Sequence, residues 1–178
     1  MRPADLTPVA RDVMKLPASA GLIAASFAAA YLFAMLPWSG TGLLARPDLV
    51  LVVLIFWTMH EPRSVGQGMA FALGLLMDVS DSMLLGQHAF AYVVAVYGAQ
   101  VLRVRILSFG LGEQTLHVLG LTVATSLVML LLNLLLGARF PGFAFLVSPV
   151  ASALLWAPVS VILFSRAVRR RRRGEATA

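Results

Sequence analysis

The chain has 178 residues, 60% of them hydrophobic and only 12% charged, and its mean hydropathy is +0.87. Soluble domains carry about 25% charged residues, so a water-soluble domain is excluded and lipid is the solvent that fits. The net charge of +6 does not mark a nucleic-acid binder: six of the fourteen basic residues fall in the last thirteen positions and most others flank apolar runs, a positive-inside pattern rather than a basic platform interleaved with aromatics.

Residues 1–17 are polar, with Pro3, Pro8 and Pro17, and are expected to form a cytoplasmic segment. The first apolar run, about 18–37, offers small residues at Ala28, Ala29 and Ala30 but stays apolar to Leu36. That is long for the core of a cleaved signal, so a signal anchor is expected. A turn-rich loop with Ser39, Gly40, Gly42, Pro47 and Asp48 leads to two short runs, about 48–60 and 65–79. At about 1.5 Å per residue they reach roughly 21–24 Å, short of a hydrocarbon core of about 30 Å. They are expected to cross as short spans, thinning the bilayer or shielded by neighbours, with a re-entrant pair as the alternative. Three further runs cover about 87–102, 114–136 and 144–165. The fourth span is closed by Arg103-Val104-Arg105, and the sixth leads into a basic cytoplasmic tail, 166–178.

Six spans place twelve basic residues on one side (Arg2, Arg11, Lys15, Arg63, Arg103, Arg105 and the six from Arg166 onward) and only Arg46 and Arg139 on the other. This asymmetry puts both termini in the cytoplasm. The fold class expected is therefore an all-α membrane protein, a single domain over 18–165 with about six transmembrane helices. Tyr31, Trp38, Trp57, Tyr92 and Tyr97 mostly fall near span ends, where aromatic anchors collect.

Residues able to carry chemistry are few. The chain has no cysteine, which removes disulfides, thiolate catalysis and thiolate-bound metals. His60-Glu61 begins a zinc-protease helix only if a second histidine follows at position 64, which is Ser64, and Pro62 interrupts the helix. No GxSxG nucleophile elbow and no GxxxxGK[ST] phosphate loop is present. Asp78 and Asp81 end the third run. On a continued helix they share a face and form a cation or proton site; the plainer expectation is hydrated carboxylates at the outer interface. His88 and His117 stand alone near span ends and read as structural. Asn133, set among leucines, needs a polar partner on another helix or lines a pathway. Small residues repeat at Gly21, Ala25 and Ala29, at Ala70 and Gly74, and at Ala91, Ala95 and Ala99. Such faces serve close packing or a membrane partner. Pro149 and Pro158 are expected to kink the last span. Arg169, Arg170, Arg171, Arg172 and Arg173 lock topology and are placed to meet anionic lipid. No metal, cofactor or catalytic group is expected.

Arg46-Pro47-Asp48-Leu49-Val50-Leu51, the run from Gly68 through Gly74 to Asp78, and Leu85-Gly86-Gln87-His88-Ala89-Phe90-Ala91-Tyr92 occur in that order. This order resembles the MreD family of rod shape-determining proteins. The resemblance covers nearly the whole chain in length and span count, its specific motifs lying in 46–92. It implies a non-enzymatic membrane scaffold of the bacterial elongation machinery, in the inner membrane. The implied partners are the bitopic protein MreC, actin-like MreB, the glycosyltransferase RodA and a penicillin-binding transpeptidase. It also implies a helical bundle like the substrate-binding S-components of vitamin transporters. Pro47, Asp48, Gly74, Asp78, Gly86 and His88 match the family pattern, and with Asn133 they are the structural or interface candidates. Two other functions are open to a chain of this composition. A small-solute-binding transporter component requires several convergent polar groups, and an intramembrane enzyme lacks any nucleophile, base or metal set.

Overall fold

The computed structural model describes residues 19–140 and 142–175; the expected cytoplasmic segment 1–17 lies outside them. Every regular element among the described residues is helical: α1 (Ala20–Ala34), α2 (Thr41–Ala45), α3 (Leu49–His60), α4 (Gln67–Ser80), α5 (Gln87–Ser108), α6 (Leu111–Leu135), a 3₁₀ turn (Gly142–Leu146), α7 (Val147–Leu154) and α8 (Trp156–Glu175). Three stretches, 87–108, 111–135 and 142–168, are long and apolar enough to cross a bilayer, and α1, α3 and α4 are shorter apolar helices. Such composition makes this a membrane protein.

The centre of the bundle is α3. A helix that is apolar on every side has no face to give to water, and LVLVVLIFWTMH is such a helix. Every residue from Val50 to Met59 is at most 5% exposed. Its 12 residues rise about 18 Å, well short of a bilayer core. The shortfall is covered by protein, since α1, α5, α6, α7 and α8 all pack on it. Trp57, expected as an interfacial anchor, is instead fully buried and donates its indole N–H to Ser26 Oγ at 2.8 Å. Tyr92 is likewise fully buried rather than interfacial.

The closest pairing joins α4 to α5. It depends on Gly74, where a Cβ would meet Ala89 N at 2.5 Å and His88 C at 2.7 Å. Ala70 and Ala91, Ala95 and Ala99 are buried, at 3% exposure or less. By contrast Gly21, Ala25 and Ala29 lie on the exposed face of α1. Two helix boundaries differ from the sequence expectation. The α5 helix runs on to Ser108, because Arg103 and Arg105 are good helix formers and Arg103 folds back to donate to Met59 O. In the last span the chain breaks at Leu155 between α7 and α8. Pro158 explains the break, having no N–H for the Leu154 carbonyl. Pro149 sits in the first turn of α7, where a proline interrupts nothing.

Candidate functional site: a buried polar cluster at one end of the bundle

The corner that opens α3 is built by Arg46-Pro47-Asp48. Pro47 is buried, and Asp48 caps the helix, its Oδ1 accepting from Leu51 N at 2.9 Å. A carboxylate at this position satisfies an orphan amide and meets the positive end of the helix dipole. Its other oxygen accepts from Tyr92 Oη at 2.7 Å. Asp48 N donates to Ser152 Oγ at 2.8 Å, and Ser148 Oγ donates to Arg46 O at 2.7 Å. The corner is thereby stitched to both α5 and α7.

Arg46 reaches from this corner to the end of α4. It donates to Asp81 Oδ1 at 3.0 Å and Oδ2 at 2.5 Å, the fork geometry that favours arginine. The hydrogen bond to Asp81 raises the Arg46 guanidinium above its ordinary pKa, against the opposing effect of burial.

Asp78 does not sit hydrated at the outer interface, which was the plainer sequence expectation. Its side chain is 0% exposed. The turn after α4 folds the start of α5 over it and supplies the donors that water would have given. Gly86 N donates to Oδ2 at 2.7 Å, and His88 N and Nδ1 donate to Oδ1 at 2.8 and 2.9 Å. Gly86 takes φ +104, a backbone conformation that disfavours any residue with a Cβ, and this aims the amides inward. Asp78 thus caps α5 from a distance, doing what the N-terminal Gly86 has no side chain to do. His88 is correspondingly not alone. Its Nδ1 carries the proton toward Asp78, and its Nε2 lies 3.8 Å from Asp81 Oδ2. Asp78, His88, Asp81 and Arg46 form one connected polar chain.

Asn133 finds its polar partner on α5: its Oδ1 accepts from Gln87 Nε2 at 3.0 Å. Arg46, Asp48, His88, Asn133, Ser126 and Ser152 line a cavity of about 220 Å³ beside the cluster. Pro47, Asp48, Gly74, Asp78, Gly86, His88 and Asn133 therefore all lie in or against one assembly. Arg46, Gln87, Tyr92, Ser148 and Ser152 also belong to it without being candidate site residues from sequence, whereas Asp81 was weighed there together with Asp78. The signal for Arg46 was its place next to Pro47-Asp48; for Ser152, on a helix about a hundred residues away, sequence held none. The side chains of Arg169, Arg170, Arg171, Arg172 and Arg173 lie outside the described residues. His117 packs on Phe109, ring to ring at 5.2 Å, away from the cluster.

The carboxylates of the cluster are satisfied, while Gln87 Oε1 is buried without a hydrogen-bond partner. Each carboxylate has donors within 3.0 Å, and among the described residues no three His, Asp or Glu converge to hold a metal. Such an arrangement clamps α3, α4, α5 and α7 together at one end. Buried pairs of this kind fix geometry more than they stabilise, but breaking one strands a buried charge.

Comparison with known proteins adds two findings. The family model described as rod shape-determining protein MreD matches residues 18–166, which takes in the entire cluster. The rod shape-determining protein MreD of Haemophilus influenzae is 27% identical over 145 residues, covering 82% of this chain and 88% of its own length. No solved structure matches the chain.

Proposed function

The chain belongs to the MreD family of rod shape-determining proteins, and on that premise we propose that it is a non-enzymatic scaffold of the bacterial cell-elongation complex. The role in rod shape determination comes with the family; the scaffold mechanism is our reading. In it the chain sits in the inner membrane with six spans (α1, α3, α4, α5, α6 and α7–α8) and both termini in the cytoplasm. That topology follows from the twelve-to-two division of basic residues. It puts the Asp78 cluster at the outer end of the bundle and the arginine-rich ends inside. The partners are an MreC-type bitopic protein, MreB, a RodA-type glycosyltransferase and a penicillin-binding transpeptidase.

The observation that carries this reading is the family match over residues 18–166. The site agrees with it physically, since its carboxylates are paired within the bundle and tie its helices together. A solute-binding transporter component is not favoured. The cavity beside the cluster, about 220 Å³, is small for an ordinary ligand site, and the larger one at the other end of α3 is lined mainly by apolar residues.

Co-purification from detergent with an MreC-type protein of the same genome tests the proposal. The small-residue faces of α4 and α5 are already used inside the bundle, so the free one is Gly21, Ala25 and Ala29 on α1. A stoichiometric complex, weakened by Ala25→Leu with Ala29→Leu, is the expected result. Absence of any complex, with a small molecule co-purifying instead, sinks the scaffold reading.

A further inference from the structure

At the opposite end of α3 from the Asp78 cluster, α3, α5, α6 and α8 surround a second cavity, of about 640 Å³. Its volume is that of an ordinary ligand site, and its walls are apolar, with Met59, Leu107, Val161 and Phe164 among them. At its rim Leu111 is 45%, Val161 54% and Phe164 47% exposed, so the cavity opens on the surface that faces lipid.

Among the described residues that line it the cation is Arg103, while Gln114 Nε2 donates to Phe109 O, Ser165 Oγ to Ile162 O, and His60 Nδ1 pairs with Phe56 O. Arg103 donates Nε–H to Met59 O at 2.5 Å, which pins the guanidinium level with the last turn of α3 and leaves its two terminal amino groups for another acceptor. Ser160 Oγ is buried in a side chain that lines the cavity, and it has no hydrogen-bond partner. The α6 helix starts here, and Gly110 gives it no side-chain cap. Its first amides and the positive end of its dipole lie at this end of the cavity, with Glu113 also in that first turn. Among the described residues lining the cavity there is no Asp or Glu; Glu61 and Glu113 adjoin His60 and Gln114 in sequence without lining it.

An occupant must therefore be anionic at one end and apolar along its body. We propose that the cavity holds one anionic phospholipid, its phosphate against Arg103 and the start of α6 and an acyl chain along Leu107, Val161 and Phe164. A partner's helix fits less well, because it would have to carry a carboxylate into the membrane at a cost of about 2.5–3.5 kcal/mol, whereas a lipid phosphate is already at that depth. A free phosphate leaves the apolar walls unfilled. The inference rests on the membrane placement of the chain but not on its role as a scaffold.

Native mass spectrometry of the detergent-purified chain, with dioleoylphosphatidylglycerol or dioleoylphosphatidylcholine added, reads the site directly. The expected result is one retained phosphatidylglycerol, preferred about tenfold, the equivalent of one charge-assisted hydrogen bond. Arg103→Gln, which keeps a donor for Met59 O, should bring the preference close to one. Val161→Trp fills the cavity from its exposed rim, leaves the bundle's internal contacts in place and should lower retention of both lipids. Arg105→Gln, exposed and not lining the cavity, should change nothing. Equal retention of the two lipids, or a preference that survives both Arg103→Gln and Val161→Trp, overturns the proposal. So does a matching adduct from inorganic phosphate alone, which assigns the site to a free anion. Loss of MreC-type co-purification in Val161→Trp with lipid retention unchanged assigns it to a protein helix. Failure to capture any MreC-type partner, with phosphatidylglycerol retained, leaves this inference standing and removes only the scaffold.

Discussion

Replacing Asp78 by Asn should cost about as much stability as any single polar change in the chain. The side chain is fully buried, and its two oxygens take three short bonds, from Gly86 N, His88 N and His88 Nδ1. Asn keeps one acceptor and turns an NH2 donor toward donors that cannot move, two of them backbone amides. One or two bonds are lost, depending on the amide orientation, a donor faces a donor, and the surviving bonds lose their charge. Hydrogen bonds to charged groups contribute about 1.5–3 kcal/mol, and removing one member of a buried pair costs about 3–5 kcal/mol. The expected loss is therefore about 3–5 kcal/mol, a large share of a total of about 5–15 kcal/mol. Unfolding by SDS in mixed micelles, followed by tryptophan fluorescence, measures it. Asp81→Asn is the control: at 15% side-chain exposure water can replace part of what is lost, and about 1–2 kcal/mol is expected. A double-mutant cycle of Asp78→Asn with His88→Leu should show coupling of at least about 1 kcal/mol. A loss below about 1 kcal/mol for Asp78→Asn would refute the account of Asp78 as the remote cap of α5.

Gly74→Ala places its Cβ against the Ala89 and His88 backbone. Over-packing costs about 1–3 kcal/mol, and the upper half of that range is expected as a lowered thermal unfolding midpoint. Tyr92→Phe removes the donor to Asp48 Oδ2 while leaving the ring contacts, so a loss of about 1.5–3 kcal/mol is expected, against almost none for Tyr97→Phe, whose ring is 60% exposed. Leu54→Ala, at the fully buried centre of α3, should cost about 2–5 kcal/mol by leaving a cavity, visible in the same SDS titration. Because the chain has no cysteine, single cysteines at Ser39, Ser82, Ser64 and Ser108 report topology against an otherwise unreactive background. An impermeant maleimide should label positions 39 and 82 in intact cells, and 64 and 108 only after permeabilisation. The reverse pattern would invert the assigned orientation.

What the sequence determined by itself is the class of molecule and the position of its helices. Apolar runs interrupted by Pro, Gly and charge are a local property and mark where helices lie, while packing sets some of their ends: α5 runs on to Ser108 and the last span breaks at Leu155. The motif residues near Asp48 and Asp78 were equally legible, because capping and turn chemistry operate over four or five residues. Burial was not legible. The LVLVVLIFWTMH segment reads as a short span that thins the bilayer or is shielded by neighbours, and only the packing of five neighbours shows that it is the core. Asp78 reads as an interfacial carboxylate, since nothing local tells that α5 will fold its first amides over it. Arg46 with Asp81, Tyr92 with Asp48, and Asn133 with Gln87 are pairs 35, 44 and 46 residues apart. In a low-dielectric bundle the partner of a polar group is chosen by which helices are neighbours, and that choice belongs to the tertiary structure.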